Sequence, residues 1–142
     1  MDAEIKNVLI SLRDNSKVAF VSSVDENGYP TVKAMFVFEN GSMKTHYFST
    51  NLSSNRAKQF MKNPKAAVYL CNTEEFKGLM LQGIMEVLTD REHKEMLWRD
   101  GFEIYYPKGI DDEDYCVFRF TAEKGNYYHG LKNINFNIRE VL

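Results

Sequence analysis

Apolar positions follow a helical period at the start of the chain and a period of two through much of the rest. Near the start they recur at i, i+3, i+4 and i+7, at Ile5, Val8, Leu9 and Leu12. This single stripe predicts an amphipathic helix over residues 2–13. Helical character returns at 51–62 and, behind a capping-box pattern, at 89–98. Alternation and β-branched or aromatic enrichment predict the strands, at residues 18–24, 31–39, 43–50, 66–71, 79–88, 115–121 and 125–129.

Turn signals between these strands indicate how they connect. Asp25-Glu26-Asn27-Gly28 ends the first strand, and Asn40-Gly41 is the strongest hairpin signal in the chain. We therefore expect the first three strands to form a β-meander. Gly83 interrupts a strand pattern, which predicts a bulge or a close approach of two backbones. Since strands and helices do not alternate, we predict a mainly β (β+α) fold, an antiparallel β-barrel of six to seven strands with peripheral helices.

Length and charge exclude several classes of protein. A chain of 142 residues has room for one core, so we expect a single domain over residues 1–142. Its 18 Lys and Arg against 20 Asp and Glu give a net charge of −2, which argues against nucleic-acid binding. No apolar run is long enough to span a membrane, and the first residues lack the pattern of a secretory signal. We expect a cytoplasmic protein that binds neither nucleic acid nor membrane.

The residue types that commonly ligate metals form no recognisable site. Cys71 and Cys116 are far apart, each in an apolar segment, which is typical of two reduced, buried thiols. The spacing of the three histidines matches neither a zinc site nor a catalytic triad. The acidic run at residues 111–114 lacks the spacing of a calcium loop, so we expect it to be a solvated loop. We predict no metal site and assign no catalytic residue.

The segment from residue 48 to 58 is rich in groups that bind anions. Hydroxyl side chains end a predicted strand and begin a predicted helix, and two cations follow: Ser49, Thr50, Ser53, Ser54, Arg56 and Lys58. A helix N-terminus supplies free N–H donors and partial positive charge, and an arginine adds charge-assisted hydrogen bonds. Together these groups would hold a phosphate monoester. The alternative, which the local pattern alone slightly favours, is that the serines only cap the helix and both cations are solvated.

Two further features have an ordinary and a functional interpretation. Lys33 lies in the middle of a predicted strand, where it is either an outward-facing surface cation or a cation beside an electron-rich ring. The aromatic residues Trp98, Tyr105 and Tyr106 suit packing in a core or interface better than stacking on a ligand. The chain has neither a GxxxxGK[ST] nor a GxGxxG motif, so a nucleoside triphosphate or a dinucleotide is not the expected ligand.

Several segments occur in the order of a known protein family. Residues 25–35 form a turn and a strand, residues 47–68 combine a strand, a Thr50-Asn51 turn, a helix start and Asn63-Pro64, and residues 81–87 form a strand with a central glycine. These segments resemble the pyridoxamine 5′-phosphate oxidase-related family of FMN-binding split β-barrels. The bacterial general-stress-protein subgroup of that family is also similar over residues 97–101, 106–112, 118–121 and 127–130, so the likeness covers nearly the whole chain.

The resemblance implies a homodimer with two FMN molecules at the subunit interface. By position, it implies that the FMN phosphate is held by Ser49, Thr50, Asn55 and Arg56, with Ser54 capping the helix. The isoalloxazine ring would run along Lys33 and the backbone of Ala34, Met35 and Phe36. A lysine near the pyrimidine edge would stabilise negative charge on a reduced flavin. Gln82 is a further candidate for a polar contact with the cofactor.

Four features depart from the pattern of the true oxidase. Phe38 stands where the oxidase has a lysine that contacts substrate phosphate, and Gly78 stands where it has a glutamine that contacts flavin. Asn55 takes the first position of an Arg-Lys phosphate pair, although Lys58 follows one turn later. The basic C-terminal motif is also missing. We therefore do not expect oxidation of pyridoxamine phosphate, whereas FMN binding remains the expectation.

The function expected from this resemblance is that of a flavin-dependent oxidoreductase acting on an unidentified small-molecule substrate or electron donor. FMN would carry the redox chemistry, so no side chain need act as a nucleophile or base. Two alternatives stay open: a non-catalytic flavin carrier or redox sensor, and a split barrel that binds heme or deazaflavin instead. In the heme case, His46 or His129 would serve as the axial ligand.

Overall fold

The computed structural model describes all 142 residues and consists of antiparallel strands with helices at the periphery. The α-helices are α1 (Ala3–Asp14), α2 (Asn55–Lys62) and α3 (Arg91–Leu97). The strands are β1 (Val18–Val24), β2 (Pro30–Phe36), β3 (Thr45–Asn51), β4 (Lys65–Asn72), β5 (Lys77–Leu88), β6 (Tyr115–His129) and β7 (Lys132–Asn137). Three short 3-10 helices span Phe102–Ile104, Gly109–Asp111 and Ile138–Val141.

Each α-helix begins at a polar side chain that accepts a hydrogen bond from a backbone N–H of the first turn. Asp2 accepts from Glu4, Ser54 accepts from Ala57 at 3.1 Å, and Asp90 accepts from His93. These bonds satisfy donors that have no partner within the helix. The three predicted helices are therefore confirmed, with boundaries that differ by a few residues.

The seven strands form one antiparallel sheet in the order β2-β1-β4-β5-β6-β3, with β7 paired to β6. The long strand β6 pairs with β3 along its first half and with β7 along its second half, while β5 lies on its other side. The two ends of this order, β2 and β3, lie near each other without being hydrogen-bonded. The predicted fold, an antiparallel split barrel with peripheral helices, is confirmed.

The predicted meander of the first three strands is wrong. β2 pairs with β1, but β3 pairs with β6, so the Asn40-Gly41 turn does not close a hairpin. The predicted strand 31–39 ends at Phe36. Two arginines bond to this connection instead: Arg13 Nη2 donates to the backbone carbonyl of Asn40 at 3.1 Å, and Arg99 Nη2 donates to the side chain of Asn40 at 3.0 Å.

The two predicted strands at 115–121 and 125–129 are one strand, β6. Its register on β5 shifts between Gln82 and Gly83, so that Gln82 faces Lys124 and Gly83 faces Ala122. The polar stretch that suggested a break is a bulge within a continuous strand. The prediction for Gly83 is confirmed, because a Cβ there would overlap the carbonyl of Thr121.

The core consists of two groups of buried side chains. The larger fills the barrel and includes Leu9 of α1, Phe60 of α2 and Phe118 of β6. The smaller lies between α3 and β6 and consists of Phe38, Leu97, Tyr106, Tyr115 and Val117. Both cysteines are free thiols; Cys116 is buried as predicted, whereas Cys71 is only half-buried.

The outer face of β1 and β2 carries apolar side chains that the chain covers only in part. Val32 and Phe36 of β2 are 68% and 71% exposed, and Val18 and Phe20 of β1 are 38% and 39% exposed. Val18 lies opposite Phe36 in the ladder, so these side chains form one patch. Exposed apolar patches of this kind mark interaction surfaces. None of the α-helices is both long and apolar enough to cross a lipid bilayer.

Candidate functional site

A cleft of about 230 Å³ opens where β2 and β3, the two ends of the strand order, lie side by side. The segment after α3 and the start of α2 complete its walls. Its lining residues are Lys33, Ala34, Met35, Phe36, Ser49, Thr50, Asn51, Arg56, Phe102, Tyr105 and Tyr106. The structure thus brings together most of the residues that the sequence analysis placed at a cofactor.

One end of the cleft, which we call the Arg56 end, is formed by Ser49, Thr50 and Arg56. The two hydroxyl residues end β3, where Ser49 lies opposite Val117 and Thr50 opposite Cys116 of β6. Their positions are therefore fixed by a regular ladder. Arg56 is the second residue of α2 and lies in its first turn, where backbone N–H groups lack helical partners. Hydroxyls, free N–H groups and a cation together form an anion-binding environment.

The guanidinium of Arg56 is only partly solvated. Its Nε atom is buried and has no hydrogen-bond partner. Burial lowers the pKa of Arg56 from its ordinary value. No carboxylate is among the residues that line the cleft. A buried donor without a partner is costly, and an anion in the cleft would remove that cost through a charge-assisted bond.

Lys58 contrasts with Arg56 although it is only two residues away. Its side chain is exposed, and it contributes to a different groove of about 410 Å³, beside the turn at residues 25–27. Asn55 lines that second groove as well, since it lies three residues before Lys58 and therefore on the same face of α2. Arg56 follows Asn55 directly, and its side chain points about 100° away. The solvated interpretation thus describes Lys58, but Arg56 turns into the cleft.

The opposite side of the cleft is an aromatic wall made of Phe102, Tyr105 and Tyr106. Tyr106 is buried and packs on Tyr115 of β6 with ring centroids 4.6 Å apart. Phe102 packs on Tyr106 at 6.4 Å. Tyr105, in contrast, is 62% exposed at the mouth of the cleft. Packing in a core or interface was the sequence-based expectation for both tyrosines; Tyr106 packs in the core, whereas Tyr105 is exposed in the single chain.

Arg99 ties the aromatic wall to the connection between β2 and β3. Its Nη1 donates to the carbonyls of Met96 and Trp98, and its Nη2 donates to Glu39 Oε1 and Asn40 Oδ1. The guanidinium also lies 5.3 Å from the ring centroid of Phe38. Arg99 therefore links the segment that precedes the wall to the connection that follows β2.

Sequence reasoning did not assign Asn51 or the aromatic wall to the site. Asn51 directly follows Thr50, and that adjacency was the available signal. The aromatic character of Tyr105 and Tyr106 is evident from the sequence, but nothing local places them at this cleft, which the segment after α3 reaches through the packing of Tyr106 on β6.

Gln82 lies outside this cleft. It is exposed on β5, three strands away from β2, and lines a groove with Lys124 and Asn126. Gly78, near the other end of β5, has no room for a side chain, since a Cβ there would overlap the hydroxyl of Tyr69. Packing by Tyr69 therefore accounts for a glycine at the position where the true oxidase has a glutamine.

The histidines do not join the cleft. His46 is buried, its Nε2 bonds to the carbonyl of Met43 at 2.9 Å, and its ring packs on Phe120. Burial lowers the pKa of His46 to about 4. His129 is exposed at the end of β6. No group of three or more His, Cys, Asp or Glu side chains is arranged to hold a metal ion.

Comparison with known proteins places the chain in a family. The model of the family described as pyridoxamine 5′-phosphate oxidase matches residues 1–129. A comparison with curated protein sequences gave no match. A crystal structure from Clostridium acetobutylicum, described as related to general stress protein 26 of Bacillus subtilis, is 46% identical, with a TM-score of 0.90 and all of both chains covered.

Two more distant structures share the fold. General stress protein 26 from Bacillus anthracis is 16% identical with a TM-score of 0.76, covering 94% of this chain and 99% of its own. A pyridoxamine 5′-phosphate oxidase-related, FMN-binding protein from Nostoc punctiforme is 13% identical with a TM-score of 0.71, covering 93% of this chain and 86% of its own. From the family match over residues 1–129, the chain belongs to the pyridoxamine 5′-phosphate oxidase family.

Proposed function

We propose that the chain binds FMN in this cleft, with the phosphate at the Arg56 end. The observation that carries the proposal is the buried, unpartnered Nε of Arg56 in a cleft without carboxylates. A phosphate monoester supplies the acceptor oxygens and the negative charge that this donor lacks. Family membership and the FMN-binding relative from Nostoc punctiforme support a flavin as the bearer of that phosphate.

The residues present fit the parts of FMN. Arg56, with the Ser49 and Thr50 hydroxyls and the N–H groups that begin α2, would hold the phosphate. The backbone of β2 from Ala34 to Phe36 would lie along the ring, with Lys33 providing positive charge beside it. The proposal leaves out Asn55 and Gln82, which line other grooves.

We further propose that two copies of the chain form a homodimer, with FMN at the subunit interface. A cleft of about 230 Å³ is smaller than the roughly 300–1,000 Å³ typical of small-molecule sites, so one chain offers only part of a flavin site. Phe36 lines the cleft and also belongs to the exposed apolar patch of β1 and β2. A second copy that covers the patch would therefore also enclose the cleft.

The function that this geometry supports best is that of a flavin-dependent oxidoreductase with a small-molecule substrate. FMN supplies hydride or electron transfer when bound. The chain binds and orients the cofactor, and Lys33 stabilises negative charge next to it. Phe38 argues against a pyridoxamine phosphate substrate, because it is 7% exposed and packed under Arg99, where the oxidase has a phosphate-binding lysine.

A titration of FMN into the purified protein tests the binding proposal. We expect Arg56→Ala to weaken FMN binding by at least about 1.5 kcal/mol, or about twelvefold, the low end for a hydrogen bond to a charged group. Lys58→Ala is the matched control, since that lysine is exposed and lines another groove. The FMN affinity of this variant should stay within about twofold of the wild-type value. Equal FMN affinity in wild type and Arg56→Ala would contradict the proposal.

Turnover separates an enzyme from a carrier or sensor. The FMN-loaded protein is mixed with NADH or NADPH, and oxidation of the nicotinamide is followed with a quinone or a nitro compound as acceptor. We expect bound FMN to be reduced faster than free FMN. Reduction at the rate of free FMN would instead identify a flavin carrier or a redox sensor, and a Soret band in the purified protein would identify heme.

A further inference from the structure

The turn that joins β3 to α2 is held by one distant carboxylate, Asp114, which lies just before β6. We propose that Asp114 positions the Arg56 end of the cleft by fixing this turn, residues 51–54, so that α2 begins where Arg56 reaches the phosphate. This inference rests on the proposed FMN site. Asp114 does not line the cleft and acts through other residues, so its role is that of a positioning residue.

Both carboxylate oxygens of Asp114 accept hydrogen bonds from the turn. Oδ2 accepts from Asn51 Nδ2 at 2.9 Å and from Ser53 Oγ at 3.0 Å. Oδ1 accepts from the backbone N–H of Ser53 at 2.8 Å. The backbone carbonyl of Asp114 accepts from the N–H of Leu52 at 2.6 Å. Three consecutive residues of the turn are thus bonded to a single residue.

Besides Asp114, few contacts fix this turn, the main one being the packing of Leu52 against the larger core group. The ladder between β3 and β6 ends at the pair Asn51 and Tyr115, so the following residues have no strand partner. Within the turn, the N–H of Ser54 donates to the carbonyl of Asn51 at 3.0 Å. Ser54 caps α2, and Ala57 and Phe60 anchor the helix in the core, so the turn affects mainly the first residues of the helix, where Arg56 lies. A small rotation there produces a larger displacement at the guanidinium of Arg56, at the end of a long side chain.

Asp114 is ionised at neutral pH and forms no ion pair. Hydrogen bonds from Asn51 and Ser53 lower its pKa below the ordinary value of an aspartate. Its carboxylate accepts three hydrogen bonds from the turn, which stabilise its negative charge.

The other acidic residues of the same run have different partners. Asp111 pairs with Arg91, and Asp112 accepts from the backbone N–H groups of Lys108 and Asp114. Glu113 is exposed and makes no hydrogen bond or ion pair. The expected solvated loop is therefore realised at Glu113, which provides a neighbouring control of the same charge.

The test compares FMN with riboflavin, which has the same ring system but no phosphate. We expect Asp114→Asn to weaken FMN binding by about tenfold while riboflavin binding changes less than about twofold, because an amide accepts at one oxygen only and presents donors to the turn. Glu113→Gln should leave both affinities within about twofold. A general structural defect would lower both affinities in parallel, so the ratio of the two is the decisive measurement.

A folded Asp114→Asn protein that keeps the wild-type FMN-to-riboflavin ratio overturns the inference. If that variant does not fold, Ser53→Ala replaces it, since Ser53 is exposed and its hydroxyl is one of the three donors to the Asp114 carboxylate. A fall of about threefold in the FMN-to-riboflavin affinity ratio supports the inference, and an unchanged ratio overturns it. If wild type shows no preference for FMN, the proposed function itself fails.

Discussion

The two sides of the cleft are built in different ways. The Arg56 end comes from one short stretch of chain, a strand end followed by a capped helix, and is held by pairing with β6, by the cap and by hydrogen bonds to Asp114. The aromatic wall comes from a segment about fifty residues later and is held by side-chain packing on Tyr115 and by the bonds of Arg99. The first side consists of polar groups at a strand end and a helix start, while the second consists of aromatic side chains that are partly embedded in the core.

This difference predicts which property of the protein each side controls. At the Arg56 end, substitutions remove charge and donors but little buried apolar surface, so they should change ligand binding more than folding. In the wall, Tyr106 belongs to a buried cluster, so its substitution should change folding first. Flavins with and without phosphate extend the contrast, because the Arg56 end is the proposed phosphate site and the aromatic wall carries no cation.

Tyr106→Ala tests the contrast with the largest expected effect. Truncation of a buried aromatic side chain costs about 3–5 kcal/mol, so the free energy of unfolding should fall by about that amount and Tm by roughly 10–17 °C. Urea unfolding of the apo protein provides the measurement. Arg56→Ala should change the same free energy by less than about 0.5 kcal/mol, since it removes a guanidinium whose Nε is buried without a partner. Equal destabilisation by both substitutions would remove the distinction between the two sides.

Arg99→Ala asks whether the wall depends on its link to the β2–β3 connection. We expect a loss of about 1–2 kcal/mol, because the side chain donates to the carbonyls of Met96 and Trp98 and to Asn40. Hydrogen exchange at the backbone amides of Tyr105 and Tyr106, which donate to Phe102, should become faster. Arg91→Ala is the control, since its ion pairs are exposed and should contribute less than about 0.5 kcal/mol. Unchanged exchange in Arg99→Ala would mean that packing alone holds the wall.

The contrast also explains how far the sequence could be interpreted. Ser54 as a cap and Gly83 as a close-contact position were predictable, because a hydroxyl before a helix and a glycine inside a strand have local physical causes. The strand order was not, since Asn40-Gly41 forms a good turn in isolation, and the contacts of Asn40 with Arg13 and Arg99 appear only in the folded chain. The position of the wall at the cleft and the hydrogen bonds of Asp114 could not be predicted for the same reason, because both depend on partners far away in sequence.

Tyr105→Ala is the smallest change and the most specific test of the wall. Tyr105 is 62% exposed, so its loss should alter the free energy of unfolding by less than about 0.5 kcal/mol. If its ring contacts the bound flavin, the substitution should weaken FMN and riboflavin equally, by about 1 kcal/mol or about fivefold, and Tyr105→Phe should restore both affinities. Fluorescence titration with the two flavins measures this. A loss confined to FMN would instead place Tyr105 at the phosphate, and the wall and the Arg56 end would then act as one site for the same group.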